Sequence, residues 1–263
     1  MRAFLVAVSL FAVWVGWHAD KARRQRDTVN RIRRVGGYVR YDFESSKNTS
    51  PNRQEPFLIA WIRRNLGPDW LHDVEEVNFA HTEFPNKPRR YNYDHTSDDV
   101  VDLLVGLPKL RRLVLHYEQA TDDSFQVIGS LTSLEDLEAS DAESVTDKGI
   151  ESLRGLRNLK RFRISNAPLS DRCLKTVSQM PSIEELWLYN HWIVGTVTRF
   201  TDEGLMTMAH CLKLKTLVVS DTGVTDDAIQ SLQTRLPGCR VEGGWKGPMI
   251  DRNGKQVPFL GSQ

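Results

Sequence analysis

Residues 201–229 read TDEGLMTMAHCLKLKTLVVSDTGVTDDAI, with Thr-Asp at both ends and a leucine-spaced run between. The same signal recurs along the chain as Ser97-Asp98, Thr121-Asp122, Thr146-Asp147, Ser170-Asp171, Thr201-Asp202 and Thr225-Asp226. Four positions after each hydroxyl residue stand Val101, Phe125, Ile150, Leu174, Leu205 and Ile229. Seven positions after it stand Leu104, Ile128, Leu153, Val177, Met208 and Leu232. Ten positions on, Leu107, Leu131, Leu156, Met180 and Cys211 continue the column until Arg235 interrupts it. Steps of three along a short segment mark one face of a helix. A Ser or Thr ahead of that face accepts a hydrogen bond from an unpaired first-turn N–H, and the following Asp meets the positive end of the helix dipole. The hydroxyl-acid pair is therefore a helix start, written once per unit.

A second pattern begins thirteen residues after each of the first five caps: LRRLVL from Leu110, LEDLEA from Leu134, LKRFRI from Leu159, IEELWL from Ile183 and LKTLVV from Leu214. VEEVNF from Val74 opens the series, and LPGCRV from Leu236, two residues early, closes it. The alternation in the last three positions of each run is that of a strand with one buried face. Strand, turn, capped helix and return then form a unit that cannot bury its own apolar side, whereas stacked units share a continuous core.

LxxLxL followed by TDxGL at about 24-residue spacing resembles the leucine-rich repeats of the ribonuclease-inhibitor-like and F-box-associated type, over residues 74–241. With the short apolar amino terminus, the basic ARRQR segment and GGYVRYDFE, the chain is similar to membrane-anchored leucine-rich-repeat proteins of planctomycete bacteria. The resemblance implies an α/β solenoid with parallel strands on the concave face and helices on the convex face. It also implies a surface that binds protein. The Asn or Cys usual after the strand is replaced at Ala167 and Thr222, so no buried asparagine ladder is implied.

Outside the repeats, Ala3 to Trp17 (AFLVAVSLFAVWVGW) carries no charge. Its length suits a signal peptide, but Trp17 stands where a small residue should precede a cleavage site, which favours an uncleaved transmembrane or signal anchor. Lys21, Arg23, Arg24, Arg26, Arg31, Arg33 and Arg34 follow it, so the positive-inside rule places the body on the cytoplasmic side, with a periplasmic or exported location as the alternative. The expected organisation is an anchor over 1–19, a juxtamembrane helix, strand and amino-terminal cap over 20–73, the solenoid over 74–242, and a carboxy-terminal cap or tail over 243–263. Within the amino-terminal cap, Phe57, Trp61, Leu66 and Trp70 are expected to cover the first strand; Trp245, Met249 and Phe259 are expected to cover the last.

Thirty-five basic against 34 acidic residues leave a net charge of +1, which gives no field for gathering nucleic acid. Three cysteines, Cys173, Cys211 and Cys239, fit neither a disulfide framework nor a zinc site and read as thiols in a reducing compartment. His72, His81 and His95, with Asp94, fit no metal-ligand spacing, and solvated loop histidines are expected. P-loop, G-x-S-x-G and G-x-G-x-x-G motifs are missing. No catalytic residue, metal, cofactor or small-molecule substrate is expected, and the reading is a non-enzymatic scaffold.

What remains is the face of the strands turned from the core. One row comprises Glu76, Arg112, Asp136, Arg161, Glu185 and Thr216, alternating in sign as far as Glu185; it is either a cross-strand ion-pair ladder or a charge-patterned docking surface. The next comprises Asn78, Val114, Glu138, Arg163, Trp187, Val218 and Arg240. Two insertions, around residues 80–96 and 190–200, both fall between strand and helix and so share a rim, where binding loops of repeat arrays gather. The expected protein-binding site joins Arg89, Arg90, Tyr91 and Tyr93 on one wall to Trp187, Tyr189, His191 and Trp192 on the other, over a floor of His116, Ser140 and Ser165. The expected partner is a protein or peptide; the alternative is a structural or tethering role in the cell envelope without a specific soluble ligand.

Overall fold

The computed structural model describes residues 1–44, 56–79, 101–116, 120–189, 200–220, 223–243, 249–250 and 256–257. Every LxxLxL run within it is a strand: β2 (Val74–Asn78), β3 (Arg112–His116), β4 (Asp136–Ser140), β5 (Arg161–Ser165), β6 (Glu185–Tyr189), β7 (Thr216–Ser220) and β8 (Arg240–Gly243). They pair in parallel and in chain order, preceded by β1 (Tyr38–Tyr41), which is antiparallel to β2. The result is an α/β fold on an eight-stranded, mostly parallel sheet. Because alternate strand residues face opposite ways, Leu113, Leu137, Phe162, Leu186, Leu217 and Val241 fall in one cross-strand row. All but Val241, which packs at the rim, are buried in a single core with the apolar helix positions Phe125, Ile128, Ile150, Leu174, Leu205, Met208 and Leu232.

The helices between strands are short: α3 (Asp122–Ile128), α4 (Asp147–Ser152), α5 (Asp171–Val177), α6 (Asp202–Met206) and α7 (Asp226–Arg235). Thr121, Thr146, Ser170, Thr201 and Thr225 cap them, each side-chain oxygen accepting a first-turn backbone N–H. Ser97 lies outside the described residues.

The aspartate of each pair does more than face the helix dipole. Asp122 Oδ1 accepts from the Thr146 amide at 2.8 Å, and its Oδ2 accepts from the Thr146 hydroxyl at 2.7 Å. Asp147 holds Ser170 in the same way, at 3.1 and 2.5 Å. Asp171 holds Thr201 at 2.8 and 2.6 Å, and Asp202 holds Thr225 at 2.9 and 2.8 Å. A hydroxyl suits this position because it donates to the preceding unit's carboxylate while accepting from its own helix. The glycine of TDxGL has its reason here too: a Cβ on Gly149 would fall 2.6 Å from Asp122 Oδ1, and one on Gly204 would collide with Asp171.

The last strand departs from expectation. Register aligns Val241 with Leu217 and Arg240 with Thr216, so Gly238 occupies the place of the first apolar residue and the thirteen-residue spacing from Thr225 is kept. Glu242, not Arg240, follows Val218 in the outer row. After β4 and β5 the backbone turns through left-handed residues, Asp141 and Asn166, both at φ 55°. Asn166 is buried and donates through Nδ2 to Asp141 Oδ1 at 2.6 Å, one position before Ala167, which stands in the usual asparagine's place.

At the other edge the expected cap is replaced. Helix α2 (Phe57–Leu66) buries none of its residues, and Phe57, Trp61 and Leu66 are exposed; of the four expected residues only Trp70, beyond the helix, is half-buried. The covering is done by α1, one unbroken helix over Arg2–Arg34, about 50 Å long at 1.5 Å per residue. Ala22, Gln25, Val29 and Ile32, at steps of three and four, form its buried face. Below it Asp69, itself buried, accepts from Gln25 Nε2 at 3.1 Å and from the Tyr41 hydroxyl at 2.9 Å. Burial, then the Asp69 carboxylate, pushes the Tyr41 phenol well above its ordinary pKa. The amino-terminal part of α1 is exposed, and the helix is long and apolar enough to cross a membrane, a property an amino-terminal signal sequence shares. At the carboxy terminus β9 (Met249–Ile250) and β10 (Gln256–Val257) pair antiparallel; Trp245 and Phe259 lie outside the described residues.

Removing one latch tests its weight. Asp122→Ala deletes three accepted hydrogen bonds, two from Thr146 and one from the Gly149 amide at 3.0 Å. Bonds to a charged acceptor carry the larger increments, so a loss of about 2 kcal/mol is expected in denaturant unfolding. Asp123→Ala, at the exposed neighbouring position, should stay within about 0.5 kcal/mol of the parent.

Candidate functional site

The sheet face opposite the core is ordered by charge. Arg40, Glu76, Arg112, Asp136, Arg161 and Glu185 are successive cross-strand partners. Their ion pairs follow: Arg40 to Glu76 at 2.6 Å, Arg112 between Glu76 and Asp136 at 3.7 and 3.8 Å, and Arg161 to Asp136 at 2.9 Å. Asp136 is 2% exposed and also receives Arg163 at 3.5 Å. Burial works against the charge on Arg161, but the hydrogen bond and field of Asp136 outweigh it and hold its pKa above the ordinary value. The row expected to be either a ladder or a docking surface is, in its geometry, a ladder, and β1 extends it by Arg40.

A second ladder runs beside it, one residue earlier in each unit. Arg111 pairs with Glu75 and Glu135, both at 3.3 Å; Lys160 reaches Glu135 at 2.8 Å, and Lys215 reaches Glu184 at 2.6 Å. The hydrogen bond from the Lys215 ammonium holds the half-exposed Glu184 carboxyl below its usual range. Sequence reading missed this row, although the doublets Glu-Glu, Arg-Arg, Glu-Asp, Lys-Arg and Glu-Glu ahead of successive strands spell it out.

Beyond the ladders the outer row runs Asn78, Val114, Glu138, Arg163, Trp187, Val218 and Glu242. Arg163 is its centre, with Glu138 at 3.6 Å, Glu185 at 3.3 Å and its guanidinium carbon 5.9 Å from the Trp187 ring centroid. The half-buried Trp187 is therefore stacked on one side by a cation. Its Nε1–H is shielded from solvent and meets no acceptor among the described residues. Tyr189 stands two residues on, aligned with Ser165 and Ser220. Burial, then Glu138, raises its phenol pKa.

Of the expected site, Trp187, Tyr189, His116 and Ser140 lie on this face, the last two as direct cross-strand partners. Ser165 shares their column but is 1% exposed; its hydroxyl accepts the Asp141 amide at 3.0 Å, so it braces a turn and offers no floor. Arg89, Arg90, Tyr91, Tyr93, His191 and Trp192 lie outside the described residues, as do both insertions apart from Phe200.

The remaining chemistry is brief. His72 is half-buried rather than solvated, its Nδ1 2.9 Å from Asp42; His81, Asp94 and His95 lie outside the described residues. Among the described residues no group of three or more His, Cys, Asp or Glu stands together for a metal. Cys173, Cys211 and Cys239 are free and buried, and burial, with a lesser contribution from Cys239, pushes the Cys211 thiol up to about 11. No model of a known protein family matches the chain, and no curated protein matches it.

Asp136 tests the ladder's energetics. Asp136→Asn leaves Arg112, Arg161 and Arg163 facing one another over a neutral amide. Removing one partner from a buried charge cluster costs about 3 kcal/mol, so a matching fall in unfolding free energy is expected.

Proposed function

We propose that the protein is a leucine-rich-repeat solenoid, anchored in a membrane by α1, whose outer sheet face binds a protein or peptide without catalysing a reaction. Support for the repeat architecture comes from in-register strands and capped helices joined by the same aspartate bond. The binding reading is carried by one observation: an indole stacked on arginine, its N–H meeting no acceptor among the described residues, on a sheet face whose other described charges are already paired. Trp and Arg dominate interface energetics because they bury large area or form forked hydrogen bonds with few rotors to order.

The self-neutralising ladders favour a second reading, a tethering or spacing element of the envelope, since they leave little charge to steer a ligand. Proximity labelling with full-length protein separates the two. One or a few saturable partners support binding, whereas uniform labelling of envelope material supports tethering. With a partner in hand, Trp187→Ala should weaken binding by about 2 kcal/mol or more while leaving the thermal midpoint nearly unchanged. A large fall in midpoint with binding intact would make Trp187 a packing residue.

We place the sheet on the cytoplasmic side, since basic residues 21–34 resist translocation and three unpaired thiols suit a reducing compartment. A carboxy-terminal reporter fusion should be active only in the cytoplasm. A signal from the far side would overturn this orientation.

A further inference from the structure

Helix α2 exposes apolar residues that the fold does not use. Phe57 is 84% exposed, Leu58 65% and Trp61 47%, and Arg64 lies exposed one turn further. A contiguous apolar stripe of this kind on a helix otherwise fixed to the protein calls for a covering surface.

The position of α2 along α1 indicates which one. The carbonyl of Leu66 is held by Arg26 Nη2. One turn earlier, Arg63 lies 5.0 Å from the Phe43 ring centroid, and Phe43 packs on His72 at 4.4 Å. The adjoining Asp42 amide donates to the Asp73 carbonyl at 3.0 Å, and Lys21 Nζ is 2.7 Å from the Asp73 carboxylate. From Leu66 to Arg63, α2 thus turns from Arg26 toward the Lys21 side, that is, toward the amino end of α1. Phe57 lies nine residues before Leu66, about 14 Å at 1.5 Å per residue. The same rise along α1 from Arg26 reaches Trp17, at the end of the uncharged stretch.

We infer that the amino-terminal half of α2 is a second membrane contact, which sets Phe57, Leu58 and Trp61 into the headgroup–acyl boundary of the bilayer that α1 crosses; the inference rests on the anchor reading above. Trp beside Phe and Leu is the side-chain set of that boundary, and Arg23 and Arg64, both exposed, supply cations for anionic headgroups. Two contacts also fix the rotation of α1 about its axis, which one helix cannot do.

The test uses full-length protein in vesicles of phosphatidylcholine and phosphatidylglycerol. An environment-sensitive fluorophore is placed in turn at Leu58→Cys, Trp14→Cys and Leu212→Cys; the buried native cysteines leave these sites selectively reactive. The label at 58 should be blue-shifted and quenched by nitroxide lipids, as at 14, and that quenching should not change with protein density. The label at 212 should remain aqueous. A label at 58 that is aqueous while 14 is lipid-quenched overturns the inference and leaves the anchor standing. Aqueous labels at both positions overturn the anchor, and the inference with it. Protection at 58 that grows with protein density without lipid quenching assigns the stripe to a second copy and also overturns it.

Discussion

The bond from an aspartate carboxylate to the amide and hydroxyl of the next helix cap connects neighbouring units at the point where each would otherwise be weakest. Helices of five to ten residues, such as α6 and α7, are too short to persist alone in water. Here one first-turn N–H of each of these helices is met by its own cap hydroxyl, and at Thr146, Ser170, Thr201 and Thr225 that hydroxyl is oriented by a carboxylate from the previous unit. Capping and stacking are therefore one interaction: a helix cannot fray without loosening its neighbour. The glycines at 149 and 204 belong to the same device, as space for the carboxylate rather than as flexible points.

At the start of each strand the problem is different, because parallel strands of similar apolar pattern could pair with the wrong neighbour. Leucine rows alone distinguish poorly between one unit and the next. The double ladder does so by sign. β3 presents Arg111 and Arg112 to acidic doublets on both sides, and β5 is preceded by Lys160 and carries Arg161 and Arg163. Exposed pairs among these add little stability individually. Asp136 differs because the sheet shields it and three guanidiniums surround it.

How far this could be read from the residues depended on the range of each interaction. Caps and strands were legible because steps of three and two are local, and Thr121 to Thr225 and the LxxLxL runs stand in the structure where periodicity put them. The carboxylate latch was not, since its donor lies 23 to 30 residues away and a cap-adjacent Asp already has a sufficient local reason. Val241's register was obscured because Leu236 imitates a strand start that Gly238 takes. That α1 rather than α2 packs on the β1 edge was hidden because the buried face of α1 is partly polar, with Gln25 bonded to Asp69, and gives no clean apolar stripe. At the candidate face, Trp187 and Tyr189 were recognisable as outward-facing aromatics. That Arg163 would stack on the indole, and that Ser165 would be drawn into the turn by Asp141, depended on neighbours one strand away.

The alternation of the ladders constrains how such a chain can change length. Losing the unit of β4 alone would bring Arg111 and Arg112 beside Lys160 and Arg161, four cations across one strand pair. Losing β4 and β5 together would bring the same arginines beside Glu184 and Glu185, and the pattern would close again. Duplication obeys the same parity: a single copied unit repels its template, whereas a copied pair does not. Over the stretch from β2 to β6 the charge pattern thus has a period of two strands, about 50 residues, although strand and helix alternate with a period of one.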